Sequence, residues 1–260
     1  MPYEAPGLSR ASIAERFGVA DACHRHDQWA DRVLGAMGDG KEEVRPGDPA
    51  LYRSLYDAGV RYLDHELGML FDDLRASGMW DNLIVVVTGD HGEEFYEHRG
   101  FGHVTTYDEN LRVPLIVKWP RQARAGVVNR QPTTSIDLPR TLLEAAGLPG
   151  SDLPGRPLDR RQGEEPLFAG TGAVVYLGEL KAIVGGPGKT ECLFNVVRDP
   201  GEQNDLAATE TEHMARMKEL VICQREWLRQ LRSALEVADG ERIPLSAEEL
   251  ERLRALGYAE

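Results

Sequence analysis

The sequence predicts an α/β protein: a mainly parallel sheet flanked by helices, followed by a small antiparallel α+β subdomain. Two apolar runs, residues 83–87 and 113–119, have the composition of strands that are buried on both faces, as in a parallel sheet. Helix-patterned segments flank these runs. From residue 167 onward the pattern changes to short strand-like pieces with Gly-rich turns, which indicates antiparallel strands.

Two helices are predicted around the first strands. Residues 51–76 carry apolar side chains near helical spacing, and Gly78 follows as a stop signal. We expect this helix to pack on the sheet. The second helix is predicted over residues 138–146, with Asp137 as its N-cap and Gly147 at its end.

The C-terminal half is predicted to be a separate subdomain. A stretch rich in Gly, Pro and charge, residues 148–166, marks the boundary, so we expect one domain over residues 1–150 and another over 151–260. The predicted elements of the second domain are strands over residues 173–177, 180–184 and 191–197, a turn at 185–188, and helices over 209–237 and 246–256.

The composition excludes some functions. A net charge of −13, from 43 acidic and 30 basic residues, argues against a nucleic-acid partner, which would need a basic surface. Three widely spaced cysteines do not make a disulfide framework. No apolar run reaches transmembrane length, so we expect no membrane segment. The start of the chain shows no signal peptide, so the predicted location is cytoplasmic, or exported if a signal precedes this sequence.

The residues that could bind a metal or take part in catalysis follow the first predicted strand. Asp90 and His91 come directly after the run that ends at Thr88-Gly89. Ligands of open α/β sheets bind outside the carboxyl ends of strands. A carboxylate and an imidazole at such an end can both reach one divalent metal ion, although they fill only part of its ligand shell. The loop that follows carries His98 and His103.

Four segments carry a resemblance to a known family. The run TGDHGEEFYEHRGFGH, followed by YDENLRVPLIVKWP, resembles the sulfatase branch of the alkaline phosphatase superfamily. The segment TSIDLPRTLLEAAG looks like the family's next helix, and LFNVVRDPGEQNDLA like its C-terminal signature. The resemblance implies an alkaline-phosphatase-like fold. Residues 1–150 would be the C-terminal half of the catalytic core.

Two motifs of the family are absent from this sequence. Sulfatases carry an early metal-binding Asp pair and a Cys/Ser-x-Pro-Ser-Arg motif, whose Cys or Ser becomes the formylglycine nucleophile. None of Cys23, Cys192 and Cys223 is followed by x-Pro-Ser-Arg. We therefore interpret the chain as the C-terminal portion of a sulfatase-like protein, with no nucleophile of its own. Alone, it is expected to be inactive.

The resemblance implies roles for four residues. Asp90 and His91 would bind the metal, which is Ca²⁺ in family sulfatases and Zn²⁺ or Mn²⁺ in phosphatase-like members. His103 would be catalytic and would contact the sulfate, and His98 is a further substrate-binding candidate. Gly102-His103-Val104 departs from the more usual Gly-His-Gly. The substrate would be a small-molecule or glycan sulfate ester.

Two alternatives to a sulfate ester hydrolase remain open at this stage. The chain could belong to a phosphate or phosphonate ester hydrolase, or to a phosphoglycerol-transferase-like member of the superfamily. It could instead be a non-catalytic remnant or a partner-binding module.

A truncated sheet would also leave apolar edges uncovered, so self-association through an exposed sheet edge is expected.

Overall fold

The chain folds into two compact units. The computed structural model describes residues 44–103, 105–150, 152–160, 165–170, 173–185 and 191–234. The first unit comprises Met1–Leu83, Glu93–Gly102 and Asp239–Glu260, and the second comprises Ile84–Gly92 and His103–Ala238. The polypeptide therefore leaves the second unit after Gly92 and returns to it at His103. The predicted domain boundary near residue 150 stays a prediction.

A long helix, α1 (Asp48–Ala76), begins the described part of the first unit. It starts three residues before the predicted position, because the Asp48 carboxylate accepts the backbone N–H of Arg45 (2.9 Å) and a proline occupies the first turn. The predicted stop at Gly78 is confirmed, since Gly78 has a φ of +73° and takes the chain out of the helix. A short 3₁₀ turn, Trp80–Asn82, follows.

Within its unit, α1 packs against a small hairpin made by β2 (Glu94–Phe95) and β3 (Phe101–Gly102). Phe95 pairs with Phe101 across the antiparallel strands. The Tyr52 ring of α1 meets Phe101 edge-on at 5.4 Å between centroids, and meets Phe95 at 5.5 Å. The Tyr52 hydroxyl donates a hydrogen bond to the Glu93 carboxylate. Aromatic packing thus attaches the hairpin to the first turns of α1.

The second unit contains the two strands that the apolar runs predict. They form β1 (Val85–Thr88) and β4 (Leu115–Lys118), joined through the short helix α2 (Asp108–Leu111). The prediction that both strands are buried in a parallel arrangement is wrong for this pair. They run antiparallel, with Val85 opposite Lys118, and are only half-buried. The apolar composition of a run predicts a strand. Whether two strands pair parallel or antiparallel depends instead on the path of the 26 residues that connect them.

Helix α3 (Asp137–Ala145) confirms the predicted second helix, but its start differs. The N-cap position is held by Ile136, and Asp137 is the first helical residue. The prediction that Asp137 caps the helix from outside is therefore wrong. Its buried carboxylate instead accepts backbone N–H groups from Thr134 (3.1 Å) and Arg156 (2.8 Å). The second partner is 19 residues away and leaves no local signal in the sequence.

The C-terminal half confirms the predicted antiparallel sheet. Its four strands lie in sequence order: β5 (Leu167–Ala169), β6 (Val174–Leu177), β7 (Leu180–Ile183) and β8 (Cys192–Asn195). Each neighbouring pair is antiparallel. Strand β5 was not predicted as a separate element. Most of the predicted turn at 185–188 lies outside the described residues, and so does the predicted helix at 246–256.

A long helix, α4 (Thr211–Ala234), covers one face of this sheet and confirms the predicted helix as far as the structure describes it. The core between them is apolar and buried, and consists of Val175, Ala182, Val184, Leu193, Met214, Met217 and Val221. No helix in the described part of the chain is long and apolar enough to cross a membrane.

Truncation of this core should be costly. We expect Leu193→Ala, at a fully buried position on β8, to lower the free energy of unfolding by roughly 2–5 kcal/mol, because the methyl groups leave a cavity. Ile222→Ala on α4, where the side chain is 62% exposed, is the control and should change it by less than about 0.5 kcal/mol. Urea denaturation followed by circular dichroism measures both, and equal losses would contradict this description of the core.

Candidate functional site

Asp90 and His91 lie at the end of β1, as the sequence predicts. The Asp90 side chain is exposed, and its Oδ1 accepts the backbone N–H of His91 at 3.0 Å. This bond turns the carboxylate toward its neighbour. As a result, Asp90 Oδ1 lies 3.8 Å from Nε2 of the His91 ring. A carboxylate oxygen and a ring nitrogen of the pair therefore lie close together.

The tautomer of His91 follows from its surroundings. Its Nδ1 lies 2.8 Å from the backbone carbonyl oxygen of Gly92. A carbonyl oxygen can only accept, so Nδ1 carries the proton and donates it in this bond. In the neutral ring, Nε2 then holds the lone pair. A metal-binding histidine typically has this arrangement, in which one nitrogen is anchored and the other presents its lone pair.

The turn after His91 lies unusually close to α2. Gly92 donates its backbone N–H to the carbonyl oxygen of Asn110 at 2.8 Å. A Cβ atom at position 92 would lie 1.9 Å from the carbonyl oxygen of Glu109, which no real side chain tolerates. The sequence indicates Gly92 as a flexible turn residue. The structure shows a different requirement, which is close contact between two backbones.

His103 lies beside His91 although twelve positions separate them in sequence. The two imidazole rings stack with centroids 4.0 Å apart and planes 24° from parallel. One nitrogen of each ring lies within 4.8 Å of the other. The structure therefore places His91 next to Asp90 on one side in sequence and next to the distant His103 through ring stacking. His98 belongs to the first unit, between β2 and β3, and its substrate-binding role stays a prediction.

The donor set fits a divalent cation. Ligand atoms of one ion at usual bond lengths lie about 3–4 Å apart, and Asp90 Oδ1 and His91 Nε2 lie 3.8 Å apart. The hydrogen bond from Nδ1 to the backbone also orients the His91 ring. A carboxylate oxygen and an imidazole nitrogen suit Ca²⁺, Mn²⁺ and Zn²⁺ to different degrees, so the pair does not select one metal.

Two of the three cysteines lie among the described residues. Burial, followed by the nearby negative charge of Asp205, raises the pKa of Cys192 to about 11, so its thiol is protonated at neutral pH. Cys223 is an exposed free cysteine on α4. Neither stands in the formylglycine motif. Cys23 lies outside the described residues.

Sequence reasoning did not single out a group of buried polar residues around α2. Asp108 and Asn110 of α2 are buried, and Lys181 of β7 and Glu202 are buried with them. Burial and the neighbouring Asp108 raise the pKa of the Tyr176 hydroxyl, which keeps it a hydrogen-bond donor. A lysine inside the apolar run of β7 was the one sequence signal for this cluster.

Comparisons with known proteins agree with the geometry. The family model described as Sulfatase matches residues 17–148, half of the chain. This chain belongs to the sulfatase family. Among curated relatives, the multifunctional alkaline phosphatase superfamily protein PehA of Trinickia caryophylli is 33% identical over 114 residues, which are 44% of this chain and 22% of that protein. N-acetylglucosamine-6-O-sulfatase of Bacteroides thetaiotaomicron is 33% identical over 119 residues, 44% of this chain and 21% of that protein.

Solved structures show the fold. A phosphonate monoester hydrolase from Silicibacter pomeroyi superposes with a TM-score of 0.58 at 23% identity, covering 90% of this chain and 50% of that one. A protein solved in complex with its substrate D-glucosamine-2-N,6-O-disulfate superposes with a TM-score of 0.57 at 21% identity, covering 90% and 54%. The predicted alkaline-phosphatase-like fold is confirmed. The chain spans about half the length of these structures, and its aligned part about a fifth of the curated relatives.

The close contact at Gly92 makes a direct prediction. We expect Gly92→Ala to lower the free energy of unfolding by about 1–3 kcal/mol, because the added methyl group must push α2 away from the turn. It should also shift the imidazole NMR signals of His91.

Gly59→Ala in α1 is the matched control. No atom lies within 4 Å of a Cβ at position 59, so this change should be neutral or slightly stabilising. Thermal unfolding and histidine ring spectra of both variants measure the difference. If Gly92→Ala behaves like the control, the described contact between the turn and α2 does not exist in solution.

Proposed function

We propose that this chain is the C-terminal part of a metal-dependent sulfuric ester hydrolase, with Asp90 and His91 among its metal ligands. One observation carries the proposal. In a chain of the sulfatase family, a strand ends in a carboxylate and an anchored imidazole whose donor atoms lie 3.8 Å apart. The substrate class would be a small-molecule or glycan sulfate ester, as the name of the N-acetylglucosamine-6-O-sulfatase relative suggests.

The proposed metal is Ca²⁺, and its contribution would be electrostatic. When bound, a divalent cation stabilises negative charge on the oxygens of a sulfate ester. This chain's residues would hold the ion: Asp90 supplies a charged oxygen and His91 a neutral nitrogen. Two donors cannot complete a shell of six to eight ligands, so further ligands must come from residues other than this pair.

His103 is proposed as the residue that contacts the ester. Its ring stacks on His91, so it lies next to the proposed metal ligands without needing to be one. An imidazole there can donate a hydrogen bond to a sulfate oxygen or transfer a proton to the leaving oxygen. His98 is proposed as a second substrate contact. Its support is the sequence resemblance alone.

A phosphate or phosphonate ester hydrolase is the second candidate. Its support is the similarity to two proteins, the alkaline phosphatase superfamily protein PehA and the phosphonate monoester hydrolase from Silicibacter pomeroyi. The same Asp90 and His91 would then hold Zn²⁺ or Mn²⁺. We also propose that residues 1–150 belong to the catalytic core and residues 151–260 to a C-terminal subdomain.

Metal binding provides the first test. We expect the 260-residue chain to bind Ca²⁺ and Mn²⁺, with Mn²⁺ broadening the ring signals of His91 and of the stacked His103 before those of other histidines. Asp90→Asn should weaken binding at least about tenfold, because it removes the charge but keeps the shape.

His213→Ala is the control for this titration. His213 is an exposed histidine of α4 that contacts Glu210, and its loss should leave metal affinity unchanged. Calorimetry and NMR titration measure both variants. If wild type and Asp90→Asn bind the metal with equal affinity, Asp90 is not a ligand and this part of the proposal is wrong.

Catalysis gives the second test. The isolated chain should release no phenol from an aryl sulfate above background, with or without Ca²⁺, because loss of the nucleophile usually costs several orders of magnitude in rate. Joined to an N-terminal half that carries the Cys/Ser-x-Pro-Ser-Arg motif, it should turn over. In that protein Asp90→Ala should abolish activity, and His103→Ala should lower it. Turnover by the isolated chain that disappears in its own Asp90→Ala variant would contradict the assignment of the nucleophile.

Self-association is a further proposal for the isolated chain. Strands β1 and β4 pair only with each other among the described residues, and Ile116 of β4 is 63% exposed. Such ribbons offer edges to other chains. We expect concentration-dependent association by light scattering, reduced in Ile116→Lys. Val197→Lys, at a position 65% exposed outside the ribbon, is the control and should not reduce it. A wild-type monomer at all concentrations would overturn the proposal.

A further inference from the structure

A buried ionic cluster lies between the C-terminal sheet and α2. The ammonium group of Lys181, on β7, contacts Asp108 Oδ1 at 2.8 Å and Glu202 Oε1 at 2.6 Å. The Lys181 side chain is fully buried, as is that of Glu202, and that of Asp108 is 7% exposed. One buried cation therefore joins two buried carboxylates from different parts of the second unit.

The cluster holds the first residue of α2 from several directions. Glu202 Oε2 accepts the backbone N–H of Asp108 at 2.6 Å. The hydroxyl of Tyr176, on β6, donates to Asp108 Oδ1 at 2.7 Å. Both the backbone and the side chain of Asp108 are thus attached to the sheet region. Arg112, on the outside, approaches Asp108 Oδ2 only to 4.0 Å and is mostly exposed.

Helix α2 connects this cluster to the proposed metal ligands. It has four residues, too few to be stable on its own, so its position depends on its tertiary contacts. Two residues after Asp108, the carbonyl oxygen of Asn110 accepts the N–H of Gly92 at 2.8 Å. The carbonyl of Gly92 accepts the proton on His91 Nδ1 at 2.8 Å. Polar contacts, joined by the backbone of α2 between Asp108 and Asn110, therefore lead from Lys181 to the His91 ring.

The cluster is a costly way to obtain stability alone. A buried ion pair loses the hydration of each charge, and well-packed apolar residues often stabilise a protein equally well. Here the charges do not balance within the cluster, because one buried lysine faces two carboxylates. Burial raises the pKa of Glu202, and the neighbouring Asp108 adds to this effect, whereas Lys181 opposes it. Hydrogen-bonded charges require defined distances and directions, so such a cluster suits the positioning of α2.

We propose that Lys181 and Glu202 are positioning residues for the Asp90–His91 pair and act through α2. This inference rests on the proposed function for the identity of the site, but the geometry it describes is independent of the metal. Lys181 keeps the two carboxylates together, Glu202 fixes the start of α2, and Asn110 then fixes the turn that orients His91. Neither Lys181 nor Glu202 touches the metal or the substrate.

The test is Lys181→Met in the 260-residue chain, with two readouts. Methionine fills the space of the lysine stem but leaves the two carboxylates facing each other, so α2 should move. We expect the Nδ1–H signal of His91 in long-range ¹H–¹⁵N spectra to be lost or averaged between tautomers. We also expect affinity for Mn²⁺ alone to fall about tenfold or more, the scale of losing a residue that orients a ligand.

A matched control separates positioning from stability. Met217→Ala, at a buried position of the core on α4, should lower the melting temperature but leave the His91 tautomer and Mn²⁺ affinity unchanged. If Lys181→Met lowers the melting temperature and changes neither readout, the lysine is merely structural and the proposal is overturned.

Two milder variants keep the proposal testable if Lys181→Met does not fold. Tyr176→Phe removes one hydrogen bond to Asp108, and Glu202→Gln removes one buried charge while keeping the side chain's shape. Each should shift the His91 ring signals by an intermediate amount, and unshifted signals in both would overturn the proposal. A wild-type chain that binds no Mn²⁺ but shows the tautomer change in the variants would refute the proposed function and support the positioning role.

Discussion

The backbone contact between Gly92 and α2 sets the local geometry of the candidate site. The N–H of Gly92 reaches the carbonyl of Asn110, and the carbonyl of Gly92 accepts the Nδ1 proton of His91. The peptide groups on both sides of the Gly92 α-carbon are therefore hydrogen-bonded. The turn cannot rotate without losing a hydrogen bond, and it cannot move away without exposing buried polar groups. Because the Gly92 carbonyl is held in place, its hydrogen bond with Nδ1 orients the imidazole of His91.

The second unit uses two different physical means to hold its parts. On one face of the C-terminal sheet, an apolar core packs against α4, and burial of surface supplies the free energy. Elsewhere, Lys181, Asp108 and Glu202 meet in a buried ionic cluster. Apolar packing tolerates small displacements, whereas hydrogen-bonded charges require defined distances and directions. The ionic contacts lie where α2 approaches the candidate site, and the apolar core lies between the C-terminal sheet and α4.

Much of the fold could be predicted from local patterns. The apolar spacing over residues 51–76 and the stop at Gly78 predict α1, and alternating short runs separated by turn residues predict strands β6, β7 and β8. The relative direction of paired strands could not be predicted in this way. The apolar runs at 83–87 and 113–119 identify two strands but not their antiparallel pairing, because composition carries no information about how a chain returns. Asp137 likewise resembles an N-cap in sequence, and its partner Arg156 is visible only in the folded chain.

The candidate site divides in the same way. The sequence by itself determined the family and indicated the candidate residues: a strand ending in Asp90 and His91, a later His103, and motifs that resemble the sulfatase family. These signals are local, since residue type and spacing along one strand and one loop suffice to recognise them. Only the tertiary structure decided which nitrogen of His91 carries the proton and why position 92 must be glycine. It also decided that Lys181, 90 residues beyond His91, supports the same site. Those outcomes depend on backbone groups and charges brought together from distant positions, where packing sets each distance.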